Sequence, residues 1–105
     1  MILDKRYPKW IHQRITRGFD DRETWSLDCT IARFVAPRLD VLRDTSVGYP
    51  PDLESQEAWT AVIDKMSQAM YLVADQFRRE IDGNTQEYID EGLELFSFFF
   101  QALWS

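Results

Sequence analysis

Apolar residues recur along this chain at spacings of three, four and seven, the period of helices that bury one face. The pattern is fullest from Asp20 to Leu42, the stretch around which the fold is expected to organise. There Trp25, Ile31, Ala32, Val35, Leu39 and Leu42 share one stripe, and Asp28 falls inside it. A carboxylate on a buried stripe needs a partner, because an unpaired buried charge costs several kcal/mol or becomes protonated. The candidates for a buried ion pair with Asp28 are Arg14, Arg17 and Arg38; the alternative is a set of backbone donors near Pro37.

Residues 1–7 show no clear pattern. Pro8 suits the first turn of a helix through Arg17, which Gly18 closes in a left-handed cap with Arg14 and Arg17 in the last turn. Asp20 with Glu23 reads as a capping box for the second helix, with Phe19 placed as its hydrophobic staple. Pro37 removes a donor from that helix, but the apolar phase continues from Val35 to Leu39 and Leu42, so a kink is expected rather than an end. Residues 45–52, TSVGYPPD, form the clear loop.

Ser55 or Asp52 caps a third helix whose seam is Trp59, Val62, Ile63, Met66, Ala69, Met70, Val73 and Phe77, with its end at Gly83. Asn84 with Glu87 opens a fourth helix to the C-terminus. One side of it carries Ile89, Leu93, Phe96, Phe100 and Leu103, while Leu95, Phe98, Phe99 and Trp104 widen the apolar arc. So wide an arc belongs at the centre of a bundle or in an oligomer interface. Gly92, costly in mid-helix, predicts a close helix approach. The expected fold is therefore a single all-α domain over residues 1–105, a bundle of about four helices with the second kinked at Pro37.

Charge divides the chain. The net is −6 over 105 residues, which argues against direct nucleic-acid binding, since phosphate contacts need a basic face. Residues 1–22 hold six basic and three acidic side chains, whereas from Glu80 onward there are six acids and no Lys or Arg. Such polarity suits electrostatic steering toward a basic partner; the plainer role of the acids is solubility.

Signs of catalysis are few. The single histidine, His12, and the single cysteine, Cys29, exclude zinc sites built on several imidazoles or on a Cys/His ligand set, and an internal disulfide. Cys29, beside the stripe, reads as a buried inert thiol that fits a reducing compartment. Four isolated glycines build no phosphate-cradling loop. Glu87, Asp90, Glu91 and Glu94 share one helix face and resemble the ExxE pairs of all-α nucleotide pyrophosphohydrolases, but a magnesium site needs a facing set and the third helix offers only Glu54 and Glu57. No catalytic residue, metal or cofactor is therefore assigned. No apolar run follows Asp4, Lys5 and Arg6, so no cleavable signal is expected, and Leu93 to Trp104 is too short to span a bilayer. The tryptophans read as core anchors, with Trp10 or Trp104 as the alternatives for a surface hot spot.

Several short runs have a familiar order: Arg14-x-x-Arg17-Gly18-Phe19-Asp20-Asp21, Trp25-Ser26-Leu27-Asp28-x-x-Ile31-Ala32, Pro37-Arg38-Leu39, Gly48-Tyr49-Pro50, Trp59, Ile63-Asp64-Lys65-Met66 and Glu91-Gly92-Leu93-x-Leu95-Phe96. Together, over residues 14–104, they resemble a group of uncharacterised accessory proteins of about this length encoded by tailed phages and prophages. The Asp-Asp cap stands where the group favours Ser-Asp, and Cys29-Thr30 where aromatics are common. The resemblance implies a setting, the host bacterial cytoplasm, and carries no activity or site residue. The leading expectation is a non-catalytic protein that inhibits or redirects a host protein with a basic surface, a CRISPR-type defence nuclease complex being the candidate, through Glu87, Asp90, Glu91 and Glu94. The alternatives are a homo-oligomeric assembly component joined through Phe98, Phe99 and Trp104, and, ranked last, a magnesium-dependent nucleotide hydrolase.

Overall fold

A helix leaves backbone donors and acceptors open at both ends, and its limits follow the residues that satisfy them. The computed structural model describes residues 4–76 and 82–104. It is an all-α bundle of α1 (Tyr7–Arg17), α2 (Leu27–Thr45), α3 (Gln56–Ala74) and α4 (Gly83–Phe98), with 3₁₀ turns at Asp21–Thr24 and Phe100–Ala102. Pro8 sits in the first turn of α1, and Gly18, at φ 84°, donates its N–H to the Arg14 carbonyl. An L side chain is strained in that left-handed state, which is why glycine ends the helix there.

The Asp20 and Glu23 capping box forms, but it opens only the short 3₁₀ turn; Trp25 closes that turn and α2 starts afresh at Leu27. The buried residues of α2 are Cys29, Ala32, Ala36 and Leu39, whereas Trp25, Asp28 and Ile31 are exposed. Trp25 precedes the helix, so helical spacing does not fix its direction; Ala32, Val35, Leu39 and Leu42 of the expected stripe do meet the core, while Asp28 lies in the first turn, beyond the end of α3. The Trp25 indole instead meets Trp10 edge-on, with ring centroids 5.9 Å apart. Phe19, expected as a staple, is exposed beneath the Arg17 guanidinium. The helix passes through Pro37 without ending.

The element at the centre is α3, not the stretch from Asp20 to Leu42. Ser55 caps it by accepting the Ala58 N–H at 3.1 Å, and Trp59, Ile63, Met66, Ser67, Ala69 and Met70 are all buried. On one flank α2 runs antiparallel, joined by Arg43 to Asp64 at 2.7 Å near one end and Cys29 to the Val73 carbonyl at 3.5 Å near the other. On the other flank α4 is also antiparallel, with Trp59 against Phe99 at 5.3 Å and Lys65 bonded to Glu91 at 2.6 Å. The Cα atoms of α2 and α4 nowhere come within 8 Å of each other among the described residues. Val35 and Leu42 of α2 and Leu95 and Phe96 of α4, with Leu103 beyond it, pack against the core cluster as partly buried side chains.

Two expected boundaries move. Helix α3 stops at Ala74, where the Asp75 N–H bonds back to Tyr71, and the expected seam residue Phe77 and the acid Glu80 lie outside the described residues. Gly83 begins α4 rather than ending α3, because the Asp82 carboxylate accepts the Thr85 N–H at 2.8 Å and takes the capping role expected of Asn84. The close approach expected at Gly92 is present: a Cβ there would strike the Ala69 methyl and lie 3.1 Å from the Lys65 carbonyl.

The first helix stands apart. It packs on the 3₁₀ turn, which rests on α2, and among the described residues α1 makes no backbone approach to α2, α3 or α4. The molecule is accordingly elongated, 55 × 34 × 22 Å, with a radius of gyration of 17.0 Å, against about 13 Å for a compact domain of this size.

Candidate functional site

The buried carboxylate of this protein is Asp20, and the expected ion pair at Asp28 does not form. Asp28 is exposed; it accepts from Gln76 Nε2 at 2.7 Å and from the Cys29 N–H at 2.9 Å. These bonds, the Gln76 amide first, hold its carboxyl below the usual range. The three arginines expected beside it are engaged elsewhere. Arg17 pairs with Asp21 at 2.8 Å, Arg38 stacks on Phe34 and donates to the Phe34 carbonyl at 2.8 Å, and Arg14 reaches Asp20 at 3.3 Å.

Asp20 is 0% exposed. It accepts from Arg22 Nε and Nη2 at 3.1 and 3.0 Å and from the Arg22 N–H at 3.0 Å. The Arg22 side chain, opposed by burial and helped by Arg14, lowers its pKa to about 2. The same guanidinium lies 4.3 Å from the centroid of Trp10, and Arg6 lies 4.9 Å from it. This clasp ties α1 to the 3₁₀ turn. Both carboxylate oxygens of Asp20 accept bonds from within the chain, Oδ1 from the Arg22 N–H and Nε and Oδ2 from Arg22 Nη2 and Arg14 Nη1.

A second polar network joins α2 to α3. The half-buried Asp40 carboxylate accepts from Ser67, from Tyr71 at 2.8 Å and from Arg43 at 3.2 Å. Burial works to raise the Asp40 carboxyl, but the Ser67 and Tyr71 hydroxyls outweigh it and hold it below the ordinary value. Sequence reasoning missed this network; Ser67 sits in the α3 seam at a position only its burial reveals. Cys29 is fully buried, as expected, and accepts from Gln76 at 3.0 Å, and His12 is on the surface.

The carboxylates of α4 lie where a partner can reach them. Glu87, Asp90, Glu91 and Glu94 are all exposed. Glu91 pairs with Lys65, and Asp90 accepts from Gln86 at 2.9 Å. Glu54 and Glu57 do not face them. The antiparallel register sets the start of α3 beside Phe99, at the far end of α4 from Glu87. Among the described residues no group of three or more His, Cys, Asp or Glu side chains is placed to hold a metal ion.

Helical spacing carries this acidic track into the aromatic end of the molecule. Glu87, Glu91, Glu94 and Phe98 follow one another at intervals of four, three and four, so they share a stripe. Phe98 is 68% and Trp104 77% exposed. Phe99, expected beside them in an interface, is instead buried against Trp59, because the helix turns it toward α3. Phe98 and Trp104 border a cleft of about 570 Å³ closed on its other side by Tyr49 and Pro50 of the loop after α2. Trp104 also borders a groove of about 310 Å³ between α2 and α4, walled by Phe34, Val35, Leu42, Phe96 and Leu103.

Comparison with models of known protein families, with curated proteins and with solved structures found no match. Among the described residues no helix is long and apolar enough to cross a membrane.

Proposed function

We propose that this chain is a non-catalytic binding protein that seats a basic protein surface on the stripe of Glu87, Glu91, Glu94 and Phe98, with Asp90 beside it and Trp104 at its aromatic end. The observation that supports the reading is the junction of exposed carboxylates with exposed aromatic rings on one helix. Protein interfaces combine a few aromatic anchors with a polar rim, and acids on the rim steer a basic partner into register. The resemblance to phage accessory proteins supports a bacterial host protein as the partner and the host cytoplasm as the place, with inhibition of a CRISPR-type defence nuclease complex as the specific outcome.

The test is capture from bacterial host lysate on immobilised protein, followed by identification of the partner and repetition with Glu87, Asp90, Glu91 and Glu94 changed to Lys. Capture of a basic host protein that the reversed chain loses, and that weakens with salt, supports the reading. Capture unaffected by the reversal removes the acidic stripe from the mechanism. The exposure of Phe98 and Trp104 equally favours a second reading, an assembly component that joins copies of itself at this aromatic end. Light scattering separates the two, since Phe98→Asp with Trp104→Asp then lowers the mass.

A further inference from the structure

Both walls of the cleft of about 570 Å³ are fixed before anything enters it. On one side Pro50 and Pro51 restrict the backbone of the loop after α2. That loop is closed on itself by the Ser46 hydroxyl, which donates to the Gly48 carbonyl at 3.0 Å, and by the Leu53 N–H, which donates to the Pro50 carbonyl at 3.0 Å. On the other side the Phe98 and Phe99 rings meet at 77° with centroids 4.8 Å apart, and Phe99 is held by Trp59. Tyr49 and Trp104, 50% and 77% exposed, border the opening. A cavity of this size lies in the range of preformed ligand pockets.

The charge around these rings has one sign. Asp52 is the single charged residue that lines the cleft; it is exposed and pairs with no Lys or Arg among the described residues. Residues 45–63 and 82–104, the two stretches that build the cleft, hold acids and no Lys or Arg. Glu94 stands one turn before Phe98 on the same stripe of α4. Elsewhere the chain covers exposed rings with its own guanidinium groups: Arg17 lies 4.4 Å from the Phe19 centroid, Arg38 3.6 Å from that of Phe34 and Arg6 5.4 Å from that of Trp25. Among the described residues no cation lies over Tyr49, Phe98 or Trp104.

We infer that the cleft receives an arginine side chain of the partner protein, its guanidinium against the Tyr49, Phe98 and Trp104 rings and its charge toward Asp52. The inference rests on the reading of a basic partner proposed above and names the group by which that partner is held. Aromatic faces attract cations, most strongly where water is excluded. The flat, weakly hydrated guanidinium stacks on rings where a strongly hydrated ammonium does not. Its five donors also match the acceptors at hand, the Asp52 carboxylate and the Gln101 amide oxygen.

The test is an NMR titration of the isotope-labelled full chain with a blocked Gly-Gly-Arg-Gly-Gly peptide. The same peptide is run with lysine or with citrulline, the neutral isostere of arginine, in the central place. The arginine peptide is expected to give saturable shifts of the Trp104 indole N–H and of the Tyr49 and Asp52 backbone N–H groups, the lysine peptide weaker binding, and the citrulline peptide none. Trp104→Ala and Asp52→Lys change exposed residues outside the helices, so each variant keeps its helical content, and each should bind the arginine peptide at least about fivefold more weakly. Absence of saturable shifts, lysine or citrulline bound as tightly as arginine, or an unchanged affinity in both variants overturns the inference. So do the same shifts on concentrating the chain alone, which give the cleft to a second copy. Should the peptide fail while reversal of Glu87, Asp90, Glu91 and Glu94 still abolishes capture of a basic host protein, only the arginine site falls. Arginine binding in the cleft with host capture indifferent to that reversal removes the acidic stripe and keeps the site.

Discussion

Gly92 of α4 rests on Ala69 of α3 so closely that there is no room for even a methyl group between them. In an open helix, alanine in place of glycine stabilises by about 1 kcal/mol. Here the new Cβ meets the Ala69 side chain and the Lys65 carbonyl, so Gly92→Ala is expected to destabilise, by about 1–3 kcal/mol through overpacking. Urea unfolding measures this. Ala69→Gly in the same chain should recover part of the loss, and a lack of coupling between the two substitutions would show that the helices are not in contact there.

The four tryptophans are expected to divide sharply. Trp59 is buried in the core against Phe99, and its replacement by alanine should cost about 3–5 kcal/mol. Trp104 is exposed at the aromatic end, and Trp104→Ala should change stability by no more than about 0.5 kcal/mol. Thermal unfolding of the two variants gives the comparison directly. Partner capture should show the reverse order if the aromatic end binds.

These contrasts mark what was legible in the sequence. Gly18 and Gly92 were readable because each is a local signal, a left-handed cap and a missing Cβ, and the cap of α3 was narrowed to Ser55 or Asp52, of which Ser55 takes it. The core seam from Trp59 to Met70 was readable because it runs unbroken at one period. Asp28 was misplaced because, although it keeps the helical phase of Val35 and Leu39, it lies in the first turn of α2, where α3 has already ended at Ala74 and Gln76 rather than the core meets it. Asp20 was recognised as a cap, but its burial depends on where α1 folds. The acids of α4 were legible as a face, but that Phe98 continues their stripe while Phe99 turns inward was not, because a helix apolar most of the way round does not declare which side meets α3.

The Asp20 clasp is expected to fail in acid. Its carboxyl titrates at about 2 in the folded chain, below the value of about 3.9 for an unfolded aspartate. The folded state thus prefers the ionised form, and the stability this contributes is fully present above the unfolded value and is lost as pH falls from about 4 toward 2. Trp10 and Trp25 report on the clasp through fluorescence, since they pack on each other beside Arg22 and Arg6. Asp20→Asn should loosen α1 at neutral pH and flatten the acid response of that signal. An Asn variant with the acid profile of the parent would exclude Asp20 as its source.

Asp40 gives a sharper test of how α2 is held to α3. Its carboxylate accepts from the buried Ser67 hydroxyl, from Tyr71 and from Arg43, and Arg43 continues to Asp64. Removing a donor from the buried side leaves an acceptor that water cannot easily reach, so Ser67→Ala is expected to cost about 1–3 kcal/mol. Tyr71 is partly exposed, water can replace its hydroxyl, and Tyr71→Phe should cost less, about 0.5–1.5 kcal/mol. Because the network holds the Asp40 carboxyl below its ordinary value, its contribution is present at neutral pH and fades as the carboxyl is protonated in acid. Chemical unfolding of both variants at neutral pH and in acid tests the pair: the Ser67→Ala deficit should be the larger at neutral pH and should shrink in acid. Equal costs for the two variants would mean that Ser67 is no better shielded from water than Tyr71.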